Sequence, residues 1–432
     1  MEFNPNQEIP KELLRAKVEE HKQFYLERGF GKQEVIENAN WLREQVGLEG
    51  ENEKYNPLEF PPIMDGVAGT FARIYASHLE VPEHFLYMGF LTCLGSILAD
   101  RVSISSELDT RPRLYTVLLG ESADDRKSTA IQKTVDFFRE TLTKESFSPC
   151  WGVGSAEGLQ ARLSEGKKAE DPKNLLLCFD EFKLFVSKCQ IETSVLLPCV
   201  NSLFEMTHYE AHTKKTSVKV ENAHLSIIAA STVQTWERIW TPAFTDIGFY
   251  NRLWLVPGTG ERKFSLPSKI PNEEKINLKH RLVGILQMVG DGLELNLTEE
   301  AKELYQSWYM ELEQSIHTKR LDTYTLRLMP LLALNESKDK IDLDIVKMVI
   351  ALADWQLEVR RLHDPVEAEN NTAKLEERIR RVLKAGPKAD RELKQSTHAN
   401  RLGLWFYSTA INNLRKAKEI AWNKEGKCWQ LL

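Results

Sequence analysis

The stretch Val117-Leu118-Leu119-Gly120-Glu121-Ser122-Ala123-Asp124-Asp125-Arg126-Lys127-Ser128-Thr129-Ala130 constrains the fold of this chain more than any other segment. An apolar run closes on a glycine, a short polar loop follows, and Lys-Ser-Thr opens a helix. A strand entering a helix through such a turn points backbone N–H groups at one spot, where the helix dipole also favours an anion. The expected ligand is a nucleoside triphosphate, ATP, cradled by Gly120, Glu121, Ser122, Ala123, Asp124, Asp125, Arg126, Lys127, Ser128 and Thr129. In this reading Lys127 reaches the β- and γ-phosphates and the Ser128 hydroxyl sits on Mg²⁺.

Two details depart from the consensus. Its lysine stands one position nearer the first glycine, and a second glycine precedes it where this chain has Arg126. The plainer alternative is a strand–loop–helix turn with a solvated Arg-Lys pair.

A second segment supports the phosphate reading. Leu175-Leu176-Leu177-Cys178-Phe179 is a buried-type strand ending in Asp180-Glu181. Parallel α/β sheets bind ligands at the carboxyl ends of their strands. There Asp180 is expected to hold Mg²⁺ and Glu181 to polarise an attacking water. Taken in this order, the two segments predict a nucleotide triphosphatase.

The 432 residues suffice for two or three domains. No apolar run reaches the roughly eighteen residues of a membrane helix, and the N-terminus is polar and acidic rather than a signal peptide. A cytoplasmic protein without a membrane partner is expected. The six cysteines lack metal-ligand spacing and read as reduced thiols, and His208 and His212 have no third ligand nearby.

Charge is uneven. From Asn371 to Leu432 there are fourteen Lys/Arg against six Asp/Glu, a net of +8, while the whole chain carries −6. A basic tail on an acidic body points to nucleic acid.

Periodicity orders the chain. Residues 1–59 read as a helical extension with two amphipathic helices broken near Gly29 and Gly31, ending before Phe60-Pro61-Pro62. Residues 60–262 form the expected α/β core, a parallel sheet flanked by helices after a helical lead-in. Its strands are placed at 115–119, 150–153, 175–179, 224–231 and 253–256, with a helix capped by Ser155. Residues 263–365 are helical, and an acidic linker is expected at 364–372. In 366–432, helices at 375–384, 390–395 and 408–418 precede a hairpin at 420–431, the layout of a winged helix-turn-helix. Its third helix offers Asn412, Asn413, Arg415, Lys416 and Lys418, and its wing Lys424 and Lys427, to duplex DNA. Trp405, Phe406, Tyr407 and Trp429 read as its core. A protein-binding winged helix is the alternative.

With these motifs in place, the chain resembles a P-loop ATPase family of phages, prophages and plasmids. That family has no assigned function and is related to RepA-like replicative helicases. The resemblance runs from about Phe60 to Pro365. Family loops read Gly-Glu-Ser-Gly-Asp-Arg-Lys-Ser-Thr, so the ending Arg126-Lys127-Ser128-Thr129 is typical, and one residue is extra within Ala123-Asp124-Asp125. Gly154-Ser155-Ala156-Glu157-Gly158-Leu159 is similar to the family's next segment. The stretch through Leu297–Trp308 and the helix through Asp354-Trp355 also resemble its helical region. The resemblance implies a RecA/AAA+-like core, a γ-phosphate sensor in the strand Ser226–Gln234 through Thr232, and a finger Arg252 in the Gly248-Phe249-Tyr250-Asn251-Arg252 box. Such a finger reaches a neighbouring subunit, which implies a homo-oligomer, a hexamer being one form.

The leading expectation is an oligomeric ATPase acting on DNA, a helicase or replication-initiation motor of a mobile element. A hairpin with Lys214 and Lys215 at its tip is placed to grip single-stranded DNA in a ring channel, a plain solvated loop being the alternative. The alternative is a DNA-binding regulatory or defence protein that uses its nucleotide core as a switch. A scaffold with a dead nucleotide site is a poorer third.

Overall fold

Three apolar runs, Tyr115–Gly120, Lys173–Phe179 and Ala223–Thr232, become the centre of a parallel sheet because nearly every residue in them is buried on both faces. The structure is a computed structural model. It describes residues 11–26, 38–40, 42–43, 59–121, 125–168, 171–212, 217–240, 244, 247–363, 371–397, 399, 404–423 and 426–432. The chain divides into two compact units, Met1–Glu59 and Phe60–Leu432. The spans 60–262, 263–365 and 366–432 therefore all lie within one unit.

In the first unit, helix α1 (Lys11–Leu26) carries Glu19, whose carboxylate accepts from Arg43 at 2.8 Å. Residues 38–40 and 42–43 are also helical. Gly29 and Gly31, where the break was expected, lie outside the described residues.

The second unit begins with α2 (Gly66–His78) and α3 (Glu83–Leu98), the strand β1 (Val102–Ile104) and then the core. Its elements alternate as β2 (Tyr115–Gly120), α4 (Lys127–Thr141), β3 (Pro149–Trp151), α5 (Ala156–Ser164), β4 (Lys173–Phe179), α6 (Phe182–Cys189) and α7 (Leu196–Glu205). A hairpin of β5 (Tyr209–His212) and β6 (Ser217–Val220) precedes β7 (Ala223–Thr232), α8 (Val233–Ile239), a 3₁₀ turn at Tyr250–Arg252 and β8 (Trp254–Pro257).

The five-stranded sheet runs in the order β3-β4-β7-β2-β8 with every pair parallel. From β2 the chain departs toward the β3 edge, whereas from β7 it departs toward the β8 edge. Neighbouring strands whose connections part in this way leave a crevice at their carboxyl ends. Ser155 caps α5 through Gly158 N, as its position suggested. Helix α3, buried from Phe85 through Leu98, lies against α4, β2, β4 and β7 and closes one face of the sheet. Among the described residues, no helix is long and apolar enough to cross a membrane.

Helical elements follow: α9 (Asn272–Val289), α10 (Glu299–Glu311), α11 (Leu321–Asn335) and α12 (Leu343–His363), with β9 (Leu293–Leu295) pairing in parallel with β1. Helix α10 stops at Glu311, and α11 begins at Leu321 after a bend and turn at 315–320. The buried Arg360 of α12 donates to the carbonyls of Asn251 (3.0 Å) and Lys319 (2.7 Å), fastening this region to the β8 edge.

The last segment comprises α13 (Asn371–Lys384), α14 (Asp390–Ser396), α15 (Leu404–Lys416) and the hairpin β10 (Ile420–Asn423) with β11 (Cys428–Leu431). Helix α13 begins inside the expected linker, of which residues 364–370 lie outside the described residues. Leu375, Ile379, Leu393, Ala410, Leu414 and Ile420 form a core together with Tyr407 and Trp429. The side chains of Trp405 and Phe406 lie outside the description. Lys388 exchanges both backbone hydrogen bonds with Trp429, adding a third strand-like segment to the hairpin. Asp390 accepts from Tyr407 Oη (3.0 Å) and Trp429 Nε1 (3.1 Å), fixing the hairpin against the helices.

Candidate functional site

The carboxyl ends of β2, β7 and β4 stand side by side. Gly120 is in register with Thr232, and Phe179 with Ala229. Strand β4 is therefore two strands from β2, about 10 Å across the sheet, and its Phe179 stands level with Val117, three residues short of Gly120. The carboxylates of Asp125, Glu121, Glu181 and Asp180 all favour the charged form of Lys127, while burial, the larger effect, lowers its pKa.

The loop is built around Asp125. This residue is 1% exposed, and its carboxylate accepts from the N–H of Glu121 and, at 2.6 Å, from that of Gly260. Gly120 must lack a side chain here, since a Cβ would meet Asp125 Oδ2 at 2.5 Å and Asp125 Cβ at 2.8 Å. The extra loop residue thus falls in a segment that has a strut of its own. Ser122, Ala123 and Asp124 lie outside the described residues.

Arg126 occupies the left-handed region, φ 49°, at the N-cap of α4. A consensus loop has glycine at this position, and glycine tolerates that backbone at no steric cost. Here the guanidinium is held instead by Glu80 at 2.8 Å. Glu80 Oε1 accepts from the backbone N–H groups of Lys263 and Phe264, each at 2.8 Å. Arg126 and these amides hold the Glu80 carboxyl at about 2. Glu80 was not anticipated: its partners lie far along the chain, and an isolated acid ahead of a proline gives no local signal.

Lys127 is 8% exposed and donates through Nζ to Glu121 O at 2.5 Å, so its ammonium is turned onto the loop itself. Helix α4 starts at Lys127 and exposes Ser128 in its first turn. Asp180 is exposed directly after β4, and Glu181 is the N-cap of α6, a helix missing from the sequence-based assignment. Glu181 Oε1 is buried without a hydrogen-bond partner among the described residues. Burial raises the Glu181 pKa; a hydrogen bond from the Lys183 backbone opposes the rise, Asp180 adds to it and Lys127 opposes it.

Ser128 and Asp180 supply a hydroxyl and a carboxylate, hard oxygen donors suited to Mg²⁺. Among the described residues, no group of three His, Cys, Asp or Glu side chains could hold a metal. That chemistry fits an ion completed by phosphate oxygens and water.

Thr232 lies beside Gly120 as expected, but its hydroxyl caps α8, accepting from Thr235 N (3.0 Å) and donating to Thr235 Oγ1 (2.9 Å). Arg252 lies at the other end of the sheet, just before β8, whose Trp254 pairs with Thr116 near the start of β2. It is about 20 Å along the strand direction from Gly120. Its Nη1 donates to Gly248 O (2.9 Å) and Ile247 O (3.2 Å), and burial lowers its pKa. Arg252 therefore does not serve the loop of its own chain.

In the last segment, Asn412, Arg415 and Lys416 are exposed on α15. Asn413 is exposed too, but its Nδ2 donates to Glu376 Oε1 at 2.6 Å, so its amide is partly engaged. Lys418 lies beyond the helix, which ends at Lys416, and takes φ 58° in the turn to β10. Lys427 is exposed at the hairpin, with φ 49°. Lys424 at that hairpin, and Lys214 and Lys215 between β5 and β6, lie outside the described residues. No protein-family model and no curated protein matches this chain.

Proposed function

We propose that the chain is a P-loop ATPase that works on DNA as a homo-oligomer in the cytoplasm. The observation that carries this reading is the placement of Lys127 and Glu181 at the carboxyl ends of β2 and β4, with Glu181 Oε1 buried and without a hydrogen-bond partner among the described residues. The strand order supports it, because β7 lies between the loop strand and the Asp180-Glu181 strand and the connections part beside the loop.

Phosphoryl transfer asks the protein for positioning and charge rather than covalent chemistry. Lys127 leaves the Glu121 carbonyl to meet phosphate oxygens, and the N–H groups opening α4 join it. Glu181 turns its free oxygen to a water and orients it for attack. Ser128 and Asp180 would hold Mg²⁺, which would supply charge neutralisation for the phosphates. Arg252, which lies far from its own loop, is assigned to the site of a neighbouring copy, as the family resemblance implies. The family resemblance, phage and plasmid ATPases related to replicative helicases, fits this arrangement.

The last segment supports DNA contact. Its three helices, hairpin and Lys388–Trp429 pairing support a winged-helix reading, and its net charge is +8. A helicase or initiation motor of a mobile element is the reading favoured here.

One observation favours the switch instead. Asp125 and Lys127 both satisfy themselves within the loop, through Glu121 N and Glu121 O. A loop closed on itself suits slow nucleotide exchange. ATP hydrolysis measured with and without forked DNA, alongside strand separation, decides between the two. DNA-stimulated turnover with unwinding supports the motor; binding without stimulated turnover supports the switch.

A further inference from the structure

A cleft of about 660 Å³ opens beside α4, a volume in the range of small-molecule sites. Its buried floor is Tyr75 of α2 and Phe137 of α4, ring centroids 6.3 Å apart at 79°. Ile270 and Pro271 face them, and Lys133 and Asp136 stand on the α4 side.

The cleft shares three elements with the loop. Lys133 lies roughly two turns, about 9 Å, along α4 from Lys127. Leu79, which also lines the cleft, directly precedes Glu80, the partner of Arg126. The backbone that meets Asp125 at Gly260 and Glu80 at Lys263 and Phe264 continues into the cleft wall at 267–272.

We propose that this cleft receives the base of the nucleotide whose phosphates the loop holds, and that it selects a purine carrying an exocyclic amino group. The inference rests on the phosphate reading of the loop. A flat heterocycle suits the apolar slot between Phe137 and the Ile270-Pro271 wall. The Asp136 carboxylate takes one hydrogen bond from Gln132 Nε2 at 2.8 Å and keeps acceptor capacity for an amino group. Burial, then Glu140 and Asp136, raise the Tyr75 pKa, so its hydroxyl stays protonated as a donor. Lys133, the cleft residue of α4 nearest Lys127, is placed for the ribose or α-phosphate.

The test is calorimetric binding of ATP, inosine triphosphate and inorganic triphosphate, each with Mg²⁺, to the full chain and to Ile270→Trp and Asp136→Ala. The wild type is expected to bind ATP at least about tenfold more tightly than either other probe. Ile270→Trp should bring ATP to the level of inorganic triphosphate without changing triphosphate affinity. Asp136→Ala should abolish the preference for ATP over inosine triphosphate. If the wild type binds triphosphate and ATP equally, or Ile270→Trp binds ATP like the wild type, the cleft assignment is wrong and the loop assignment stands. If no probe binds the wild type, the loop assignment fails and takes the cleft with it. Should Ile270→Trp lose triphosphate binding as well, Asp136→Ala decides: an unchanged ATP preference overturns the inference.

Discussion

Arg126 and Glu80 face each other at 2.8 Å beside the loop, and this pair accounts for a non-glycine residue at φ 49°. A left-handed backbone costs an ordinary residue roughly 1 to 2 kcal/mol. Glu80 offsets that cost and in the same contact grips the amides of Lys263 and Phe264. The loop is thereby joined to the segment leading out of the sheet toward α9. A change in the loop's occupancy has a covalently short path to the helical region.

Asp125 is the second joint in that path. Asp125→Ala removes the acceptor of the part-buried N–H groups of Glu121 and Gly260, a cost of about 1 to 3 kcal/mol. Asp125→Asn keeps one acceptor oxygen but turns an NH2 donor toward the other N–H, so it should cost less than Asp125→Ala without restoring full stability. Urea unfolding of both variants checks the order, and equal stability of all three proteins would remove the strut.

Buried histidines set the acid limit. Burial depresses His224 to about 3, and His317 and His363 to about 4. Above about pH 6.5 these groups are neutral in both states and cost nothing. As pH falls below that value the unfolded chain takes up protons that the folded chain refuses, so stability drops until the folded pKa values are reached. The urea midpoint should therefore fall from pH 7 to pH 5, and His224→Gln should flatten the fall. A midpoint independent of pH over that window contradicts the burial of these rings.

The basic segment should hold DNA through phosphates. Replacing Lys416 and Lys418 by Ala should lower the slope of log affinity against log salt by about two, equally on all duplex sequences. Asn412→Ala should change sequence preference more than Asn413→Ala, whose amide is shared with Glu376. Salt titrations of the full chain on two unrelated duplexes read both effects. An unchanged slope would assign this face to a protein partner.

The strands were legible because runs such as Leu175–Phe179 are apolar, short and bounded by charge, and five of them fell within two residues of their observed places. The terminal hairpin was legible from its turn. Helix α6 was not, because its buried stripe, Phe182, Phe185, Val186 and Cys189, follows a strand without a break. The three-residue pairing of β1 with β9 joins residues nearly two hundred positions apart and leaves no local pattern. The same holds for the site: Lys127, Asp180 and Glu181 announce themselves by residue type, whereas Glu80 and Gly260 act through contacts only the folded chain creates. Lys418 was misplaced onto a helix that its own positive φ excludes.

Arg252 should work between copies. Arg252→Ala and Glu181→Gln proteins, each weakly active alone, should regain turnover when mixed, because a mixed interface pairs an intact Arg252 with an intact Glu181. An arginine finger supplied in trans contributes on the order of a thousandfold. Mixtures no more active than the average of their parts would give Arg252 a structural role only.

The most direct test of the central claim is steady-state ATP hydrolysis by the wild type, Lys127→Ala and Glu181→Gln, with ATP binding measured in parallel. The account predicts turnover by the wild type and none by Lys127→Ala. For Glu181→Gln it predicts retained binding with hydrolysis slowed on the order of a hundredfold. A wild type that neither binds nor hydrolyses ATP, or a Lys127→Ala protein at the wild-type rate, would contradict it.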